Sequence, residues 1–256
     1  MCKVGVFGAG GRVGKIIVDL LTQDDNLVLA SVFVRKSLDF SLPPSTLITN
    51  DYGIFLNGCD VVIDFSLPEA TATLLETAIE SHPKPLVIGT TGFDDYQMNL
   101  LQVASTKMPV LSDSNMSFGV AVLHEVIRQA AKTLKEFDIE IVEMHHKHKR
   151  DAPSGTSLAL AQTCAEARNL SLENILYGRE GKTGERTKDE IAVLAMRGGD
   201  IAGRHTVGFY NEGEFLEFNH TATSRIPFAK GALKAAAWIV NQKEGYYSIR
   251  DALELE

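Results

Sequence analysis

The first half of the chain alternates short apolar runs with segments of helical periodicity, and this alternation most constrains its fold. The apolar runs are KVGVF, LVLASVFV, DVVIDFS, PLVIGTTG and MPVLSDSN. The helical segments cover residues 15–21, 69–80 and 95–106. Such alternation predicts an α/β fold, with a doubly wound, Rossmann-type parallel sheet covered by helices on both faces. The strands are continuously apolar, as burial on both faces requires.

The pattern changes after Asn115. A helical segment over about residues 118–137 leads into DIEIVEMHH, where Ile139 and Ile141 alternate with Glu140 as in a strand with one buried face. A helix at about 157–168 precedes three strand-like stretches joined by glycine-rich turns: EIAVLAMR, RHTVGFYN and EFLEFNHTATS. These features predict a second, α+β domain with an antiparallel or mixed sheet.

The last part of the chain, PFAKGALKAAAWIVNQ, returns to helical spacing, and its alanines and Trp238 allow it to pack on the first domain. We therefore expect a discontinuous dinucleotide-binding domain, residues 1–116 with 226–256. Residues 117–225 would form a substrate-binding and oligomerisation domain. Length alone does not decide this, because 256 residues suit either one domain or two.

Composition excludes several classes of function. The net charge of −8 argues against a nucleic-acid binder, which needs a broad basic surface. No apolar run approaches the roughly 20 residues that span a bilayer, and no signal peptide is visible. The cysteines Cys2, Cys59 and Cys164 are far apart and form no C-x-x-C pair, so we expect neither disulfides nor a thiolate metal site. A cytoplasmic protein fits best.

A glycine-rich segment, VFGAGGRVGK, lies between a predicted strand and a predicted helix. Glycines let the backbone turn tightly and approach a pyrophosphate, whose charge is met by the amides and positive end of the helix. Val13 stands at the last glycine position of the usual G-x-G-x-x-G, and Gly14 follows it. We expect a dinucleotide site here; a tight turn without a ligand is the alternative.

The second strand ends in Val34, Arg35 and Lys36, without the carboxylate that would bind the ribose hydroxyls of NAD. Two cations favour NADPH, and Arg35 is the better phosphate ligand because its guanidinium binds bidentately. The alternative is that both are solvated loop charges. The segments DFS, residues 64–66, and IGTTGF, ending at Phe93, follow two further strands and would lie at the same sheet edge.

A basic cluster occupies the segment EMHHKHKRDAPSGT, residues 143–156. Three histidines fall within four residues, but the neighbouring cations Lys147, Lys149 and Arg150 would repel a divalent metal ion, so we expect no metal. A basic surface patch is possible but leaves the turn unexplained. Alternatively, the imidazoles and Lys149 exchange protons while the helix that follows, with Thr156, holds a substrate carboxylate.

The string EMHHKHKRDAPSGTS closely resembles the signature of the 4-hydroxy-tetrahydrodipicolinate reductase family, long called dihydrodipicolinate reductase. Four other segments resemble that family in the same order: VGVFGAGGRVG, GTTGF, SNMSFGV and NHTATSRIPFAKGALKAAAWI. The resemblance covers essentially the whole chain. It implies reduction of a cyclic dicarboxylate by NADPH, with NADH possible, in lysine and meso-diaminopimelate biosynthesis, by a homotetramer.

The resemblance also implies roles for individual residues. His145 and Lys149 match the acid–base and proton-donor pair, His146 a substrate contact, and Gly155 and Thr156 a carboxylate clamp. The positions that match the cofactor site, with Arg35 as the phosphate ligand, are Gly8, Ala9, Gly10, Gly11, Arg12, Val13, Arg35, Gly89, Thr90, Thr91, Asp113, Ser114, Asn115 and Met116.

One departure from the family concerns Val34, where many members carry a glutamate before the arginine that matches Arg35. Loss of this carboxylate removes a ribose acceptor, so we expect NADPH to be preferred over NADH. A sensor that kept the fold and lost turnover would not need both His145 and Lys149. A reductase of a different class, acting on an aldehyde or a keto acid, remains the alternative enzyme, and it would have to account for a clamp suited to a dicarboxylate. Lys147, His148 and Arg150 receive no role.

Overall fold

Two groups of β-strands organise the chain in the computed structural model, which describes residues 1–255. The strands, in chain order, are β1 Cys2–Phe7, β2 Leu27–Phe33, β3 Leu47–Thr49, β4 Val61–Asp64, β5 Leu86–Ile88, β6 Pro109–Ser112, β7 Asp138–His145, β8 Ile175–Leu176, β9 Ile191–Arg197, β10 Gly203–Asn211, β11 Glu214–Ala222 and β12 Gly245–Tyr247. The α-helices are α1 Arg12–Leu21, α2 Tyr52–Asn57, α3 Pro68–Glu80, α4 Asp95–Ser105, α5 Phe118–Thr133, α6 Gly155–Arg168 and α7 Ile226–Ile239.

The chain divides into two units. The first unit is Met1–Phe118 with the described part of Arg225–Glu256, and the second is Gly119–Ser224.

The first unit contains a seven-stranded parallel sheet in the order β12-β6-β5-β4-β1-β2-β3. Its central strands are fully buried, as their continuous apolar sequence predicts. The hydrophobic core on one face includes the rings of Phe7, Phe33 and Phe55, with centroids 4.8–5.9 Å apart. Helix α7 packs against α1 and against β4, β5 and β6, so the last part of the chain completes this unit.

Local chemistry explains where several helices begin. Asp51 caps α2 by accepting a hydrogen bond from the backbone amide of Ile54. A reciprocal capping box between Asp94 and Gln97 starts α4. Pro68 stands at the start of α3, where its missing N–H costs nothing.

The second unit contains a mixed sheet in the order β11-β10-β7-β9-β8. β7 is antiparallel to β10 and parallel to β9, while β11 is antiparallel to β10. Buried side chains alternate along β7, and α5 and α6 contribute to the same core as Ile139 and Ile141. The helices therefore cover one face of this sheet.

The predicted fold class is confirmed: a Rossmann-type doubly wound domain accompanies a second domain with a mixed sheet. The short elements β3, α2, β8 and β12 were not predicted from the sequence. Helix α1 begins three positions earlier than the periodicity predicts, at Arg12. Helix α5 ends at Thr133, before the predicted end at residue 137.

Three negative findings apply to the described residues. No helix within residues 1–255 is long and apolar enough to cross a membrane. The same residues contain no group of three or more histidine, cysteine or acidic side chains placed to hold a metal ion. All three cysteines are free.

Candidate active site

In the first unit a cleft of about 650 Å³ opens at the carboxyl ends of β1, β2 and β4. This is the edge at which ligands bind in open α/β sheets. The residues that line it are Phe7, Gly8, Ala9, Gly10, Gly11, Phe33, Val34, Arg35, Lys36, Ser37, Leu38, Phe65, Ser66, Leu67 and Ala70. The cleft therefore brings together most of the predicted glycine turn and Arg35.

Two glycines are required by the backbone of this turn. Gly8 has φ of +88°, a left-handed conformation that other residues rarely adopt. A Cβ at Gly14 would lie 2.2 Å from the carbonyl oxygen of Gly8. The usual packing glycine has thus moved from position 13 to 14, which explains the departure at Val13. Arg12 is exposed at the first position of α1, after the cap residue Gly11.

The end of β2 presents positive charge to the cleft. Arg35 and Lys36 are exposed in its lining, beside Val34. The next acidic residue along the chain, Asp39, accepts a hydrogen bond from Lys15 Nζ at 2.8 Å. That hydrogen bond holds the pKa of Asp39 below its usual value. Its carboxylate is therefore paired with a lysine.

Asp64, at the end of β4, is completely buried and connects two loops of this edge. Its carboxylate accepts hydrogen bonds from the Ser66 amide at 2.8 Å, Thr71 Oγ1 at 2.5 Å and Thr90 Oγ1 at 3.2 Å. Burial raises the pKa of Asp64 to about 6, against the lowering effect of these bonds. The DFS and GTTG segments are thus held together by one buried acid.

The remaining predicted cofactor residues lie outside the lining of the cleft, and several side chains have structural partners. Gly89 backs against the ring of Phe65, where a Cβ would lie 2.4 Å from ring carbons. Asp113 accepts hydrogen bonds from the amides of Asn115 and Ile249. Met116 is buried. A contact from Met116 to a cofactor would involve its backbone, whereas Thr91 and Ser114 are exposed.

In the second unit the end of β7 places two polar residues on the buried face of the sheet. Glu143 is completely buried and His145 is 8% exposed, in phase with Ile139 and Ile141. The Nδ1–H of His145 donates a hydrogen bond of 2.6 Å to Glu143 Oε2. Arg197, on β9, donates to both carboxylate oxygens at 2.7 and 2.8 Å.

The electrostatics of this group follow from burial and pairing. Burial alone would raise the pKa of Glu143, but hydrogen bonds from Arg197 and His145 hold it below its usual value. Burial lowers the pKa of His145, although Glu143 acts in the opposite direction. Burial also lowers the pKa of neighbouring His205 to about 3, which keeps that ring neutral.

The loop after β7 carries the rest of the predicted cluster. Lys149 forms an ion pair of 2.9 Å with Asp151. His146 is half-buried, and its ring centroid lies 6.3 Å from that of His148. Lys147 and Arg150 are exposed.

The APSGTS segment begins a helix, as predicted. Ser154 caps α6, accepting a hydrogen bond from the Ser157 amide at 3.2 Å, and Gly155 and Thr156 are the first helical residues. The Ser154 amide itself donates to Glu143 Oε1 at 3.0 Å. His145 and the start of α6 therefore contact the same carboxylate.

Three residues of this site have no role in the sequence analysis: Glu143, Arg197 and His205. The signal for Glu143 was present, because an acid stands in phase with the buried isoleucines of a period-two strand. Arg197 could not be found, since it lies 54 residues further along the chain and reaches Glu143 only through the β7–β9 pairing.

A doubly wound sheet with a glycine turn and cationic cleft, followed by a unit with a buried histidine and a lysine, defines the class of nicotinamide-dependent oxidoreductases. The particular family is shown by comparison with known proteins. The chain belongs to the dihydrodipicolinate reductase family: the models "Dihydrodipicolinate reductase, N-terminus" and "Dihydrodipicolinate reductase, C-terminus" match residues 2–116 and 119–253.

Similar proteins span the full chain. It is 64% identical over 254 residues to the 4-hydroxy-tetrahydrodipicolinate reductase of Wolinella succinogenes, covering 99% of both chains. It is 61% identical to that of Sulfurimonas denitrificans, covering 100% of both. Its fold matches the dipicolinate-bound dihydrodipicolinate reductase of Paenisporosarcina sp. TG-14 with a TM-score of 0.80, 24% identity, and coverage of 98% of this chain and 99% of that one.

Proposed function

We propose that this protein reduces 4-hydroxy-tetrahydrodipicolinate to tetrahydrodipicolinate with NADPH, in the biosynthesis of lysine and meso-diaminopimelate. One observation carries the proposal within this reductase family. A single buried carboxylate contacts both the ring of His145 and the start of α6. An imidazole that can transfer a proton and a helix start that can bind an anion therefore both lie next to Glu143.

The start of α6 is the proposed carboxylate clamp. Gly155 is exposed, and a Cβ built on it would meet nothing within 4 Å. The packing of the chain itself does not demand a glycine there, whereas close approach of a substrate carboxylate to the backbone would. Thr156 adds a hydroxyl at the next position, and His146 is the proposed additional contact.

Proton transfer is assigned to His145 and Lys149. The nicotinamide, when bound, supplies the hydride. Burial lowers the pKa of His145, and the nearby charge of Lys149 acts in the same direction. The positive charge of Lys149 stabilises the dicarboxylate, and the pair of His145 and Lys149 returns a proton to the reduced ring. Asp151, ion-paired with Lys149, holds the ammonium in place.

NADPH is the proposed preferred cofactor. Arg35 and Lys36 line the cleft, Val34 supplies no carboxylate, and Asp39 is paired with Lys15. A 2′-phosphate would gain two cations, whereas a free ribose hydroxyl would lose its usual acceptor. We expect Arg35→Ala to raise the KM for NADPH by about 10-fold, the loss of roughly one charged hydrogen bond, and to leave that for NADH nearly unchanged. Lys3→Ala, at an exposed lysine on β1, is the control.

The activity itself is tested by following nicotinamide absorbance while the upstream synthase generates the substrate from pyruvate and aspartate semialdehyde. Oxidation that depends on the synthase is the expected result, and its absence would refute the assignment. Lys149→Ala and His145→Ala should lower kcat while leaving NADPH affinity intact. Loss of NADPH binding in both variants would contradict their assignment to the substrate.

A cytoplasmic homotetramer is part of the same proposal. The sheet face of the second unit that is not covered by α5 and α6 carries exposed apolar residues, including Leu194, Met196 and Phe215. Burial of such residues against another copy would remove them from water. The three free thiols are compatible with a reducing compartment.

A further inference from the structure

We propose that Glu143 is a positioning residue that fixes both halves of the substrate site at once, with Arg197 holding its carboxylate in place. The proposal deepens the proposed function, on which it rests for the proton-transfer role of His145. One buried acid would thereby set both the tautomer of the His145 imidazole and the position of the first residues of α6.

Both carboxylate oxygens of Glu143 are fully hydrogen-bonded. Each oxygen of the carboxylate has two donors: Oε2 accepts from His145 Nδ1 and Arg197, and Oε1 accepts from the Ser154 amide and Arg197. The side chain has no exposed surface. A buried carboxylate is costly unless it is paired and fully hydrogen-bonded, and here both conditions hold.

The first consequence concerns the tautomer of His145. An ionised carboxylate can only accept, so the neutral imidazole must carry its proton on Nδ1, which leaves the lone pair on Nε2. Nε2 forms no hydrogen bond within residues 1–255 and lies beside Gly203, where a Cβ would stand 3.2 Å away. Nε2 is thus the nitrogen that remains for proton exchange with the substrate.

The second consequence concerns the carboxylate clamp. Ser154 is the cap residue of α6, and its amide is fixed on Glu143. The amides of Gly155 and Thr156 follow directly, so their direction is set relative to the same carboxylate. The proton-transfer group and the anion-binding amides therefore keep a constant relation to each other.

The charged and titratable groups around His145 come from every element that packs on it. Glu143 on β7 raises the pKa of His145, while Arg197 on β9 and Lys149 in the following loop lower it. His205 on β10 has its ring centroid 5.2 Å from that of His145 and is neutral because burial lowers its pKa. Asp151 pairs with Lys149. Removal of Glu143 should therefore lower the pKa of His145, whereas removal of Arg197 should raise it.

The decisive experiment uses nitrogen-15 labelled histidine and NMR of the full chain, with His145→Asn to assign the ring signals. In Glu143→Gln, the amide oxygen should continue to accept from the Ser154 N–H, because a backbone amide can only donate. The NH₂ group should then face the imidazole, which can move its own proton from Nδ1 to Nε2 and accept at Nδ1. We expect neutral His145 to change from the Nδ1–H to the Nε2–H tautomer and its pKa to fall. Persistence of the Nδ1–H tautomer would overturn the proposal.

Arg197→Met provides the opposing variant, since it should raise the pKa of His145 in the same titration. Glu217→Gln is the matched control, because Glu217, on β11, accepts a hydrogen bond from Tyr210 on β10 and does not contact His145. A shift of the same sign in both Glu143→Gln and Arg197→Met would contradict the proposal. Each variant removes one partner of the buried ion pair. If one variant fails to fold, the other still tests the proposal.

Activity provides the second measurement. Glu143→Gln should lower kcat by about 100-fold, as expected when a general acid–base group has the wrong tautomer, with a smaller change in KM. Affinity for dipicolinate, used as the dicarboxylate probe, should change little in Glu143→Gln and fall in Glu143→Ala, which also frees the Ser154 amide. Unchanged kcat with an altered tautomer would refute the role of His145 and leave the positioning by Glu143 standing.

Discussion

At the scale of single residues, Asp64 shows how a buried acid at the carboxyl end of β4 can make the stability of the first unit sensitive to pH. Its pKa rises from 3.8 to about 6 because burial disfavours the charged form. Between these values the folded chain binds more protons than the unfolded chain at this site. The stabilising effect of protonated Asp64 is therefore complete below about pH 4 and is lost as pH rises through about 6.

Asp64→Asn tests this directly, because a neutral amide imitates the protonated acid: it keeps one oxygen that accepts, and its NH₂ donates to Thr71 Oγ1 where the carboxylate accepted from it. We expect the stability of the wild type relative to this variant to fall by up to about 3 kcal/mol between about pH 4 and pH 7, from a shift of roughly two units. Urea unfolding across this range is the measurement. Asp39→Asn should show a trend of opposite sign, because Lys15 lowers the pKa of Asp39. The same trend in both variants would contradict the claim that the raised pKa of Asp64 causes the effect.

At the scale of elements, the cap of α6 should serve stability and substrate binding together. Ser154→Ala removes the hydroxyl that caps the helix and should cost about 1 kcal/mol in the free energy of unfolding. It should also raise the KM for the dicarboxylate, because the first amides of α6 would be less well ordered. Urea unfolding and steady-state kinetics measure these two effects.

Asp51→Ala is the control for this prediction. Asp51 caps α2 through the Ile54 amide, in the first unit, and its loss should cost about as much stability. Its KM for the dicarboxylate should stay at the wild-type value. An equal rise of KM in both variants would mean that general destabilisation, and not the clamp, is responsible.

The long elements could be predicted from the sequence because each has enough residues to display a period. The continuous apolar strands and the alternating strand β7 are examples. Strands β3 and β12 have three residues each and are only partly buried, so their pairing with β2 and β6 depends on tertiary neighbours. Helix α2 has six residues, too few for a helical repeat, and depends on its cap.

The candidate site divides in the same way. The glycine turn, Arg35 and the histidine cluster each occupy one short stretch of sequence and could be recognised there. Its buried support could not, because the Glu143–Arg197 pair forms only when β7 and β9 align His145 with Arg197. Charge counting also treated the cluster as purely positive, whereas a buried acid balances part of it.

At the scale of the whole molecule, the proposed tetramer predicts a specific sensitivity. Met196→Glu places a charge on the uncovered sheet face of the second unit and should reduce the mass in solution below that of four chains. Light scattering coupled to gel filtration measures it. Leu67→Glu, at a side chain of similar exposure in the first unit, is the control: 53% for Met196 and 55% for Leu67. A tetramer that survives Met196→Glu would exclude this face.

The return of α7 to the first unit has a consequence for the order in which the chain is made. The second unit is continuous from Gly119 to Ser224, so all its residues leave the ribosome before α7 does. The first unit is incomplete until α7 and β12 are made. Gly231 of α7 lies so close to the Met116 carbonyl that a Cβ would stand 1.7 Å from the oxygen, and β12 pairs with β6. During synthesis, the second unit can therefore complete its fold before the first, although the first begins earlier in the chain.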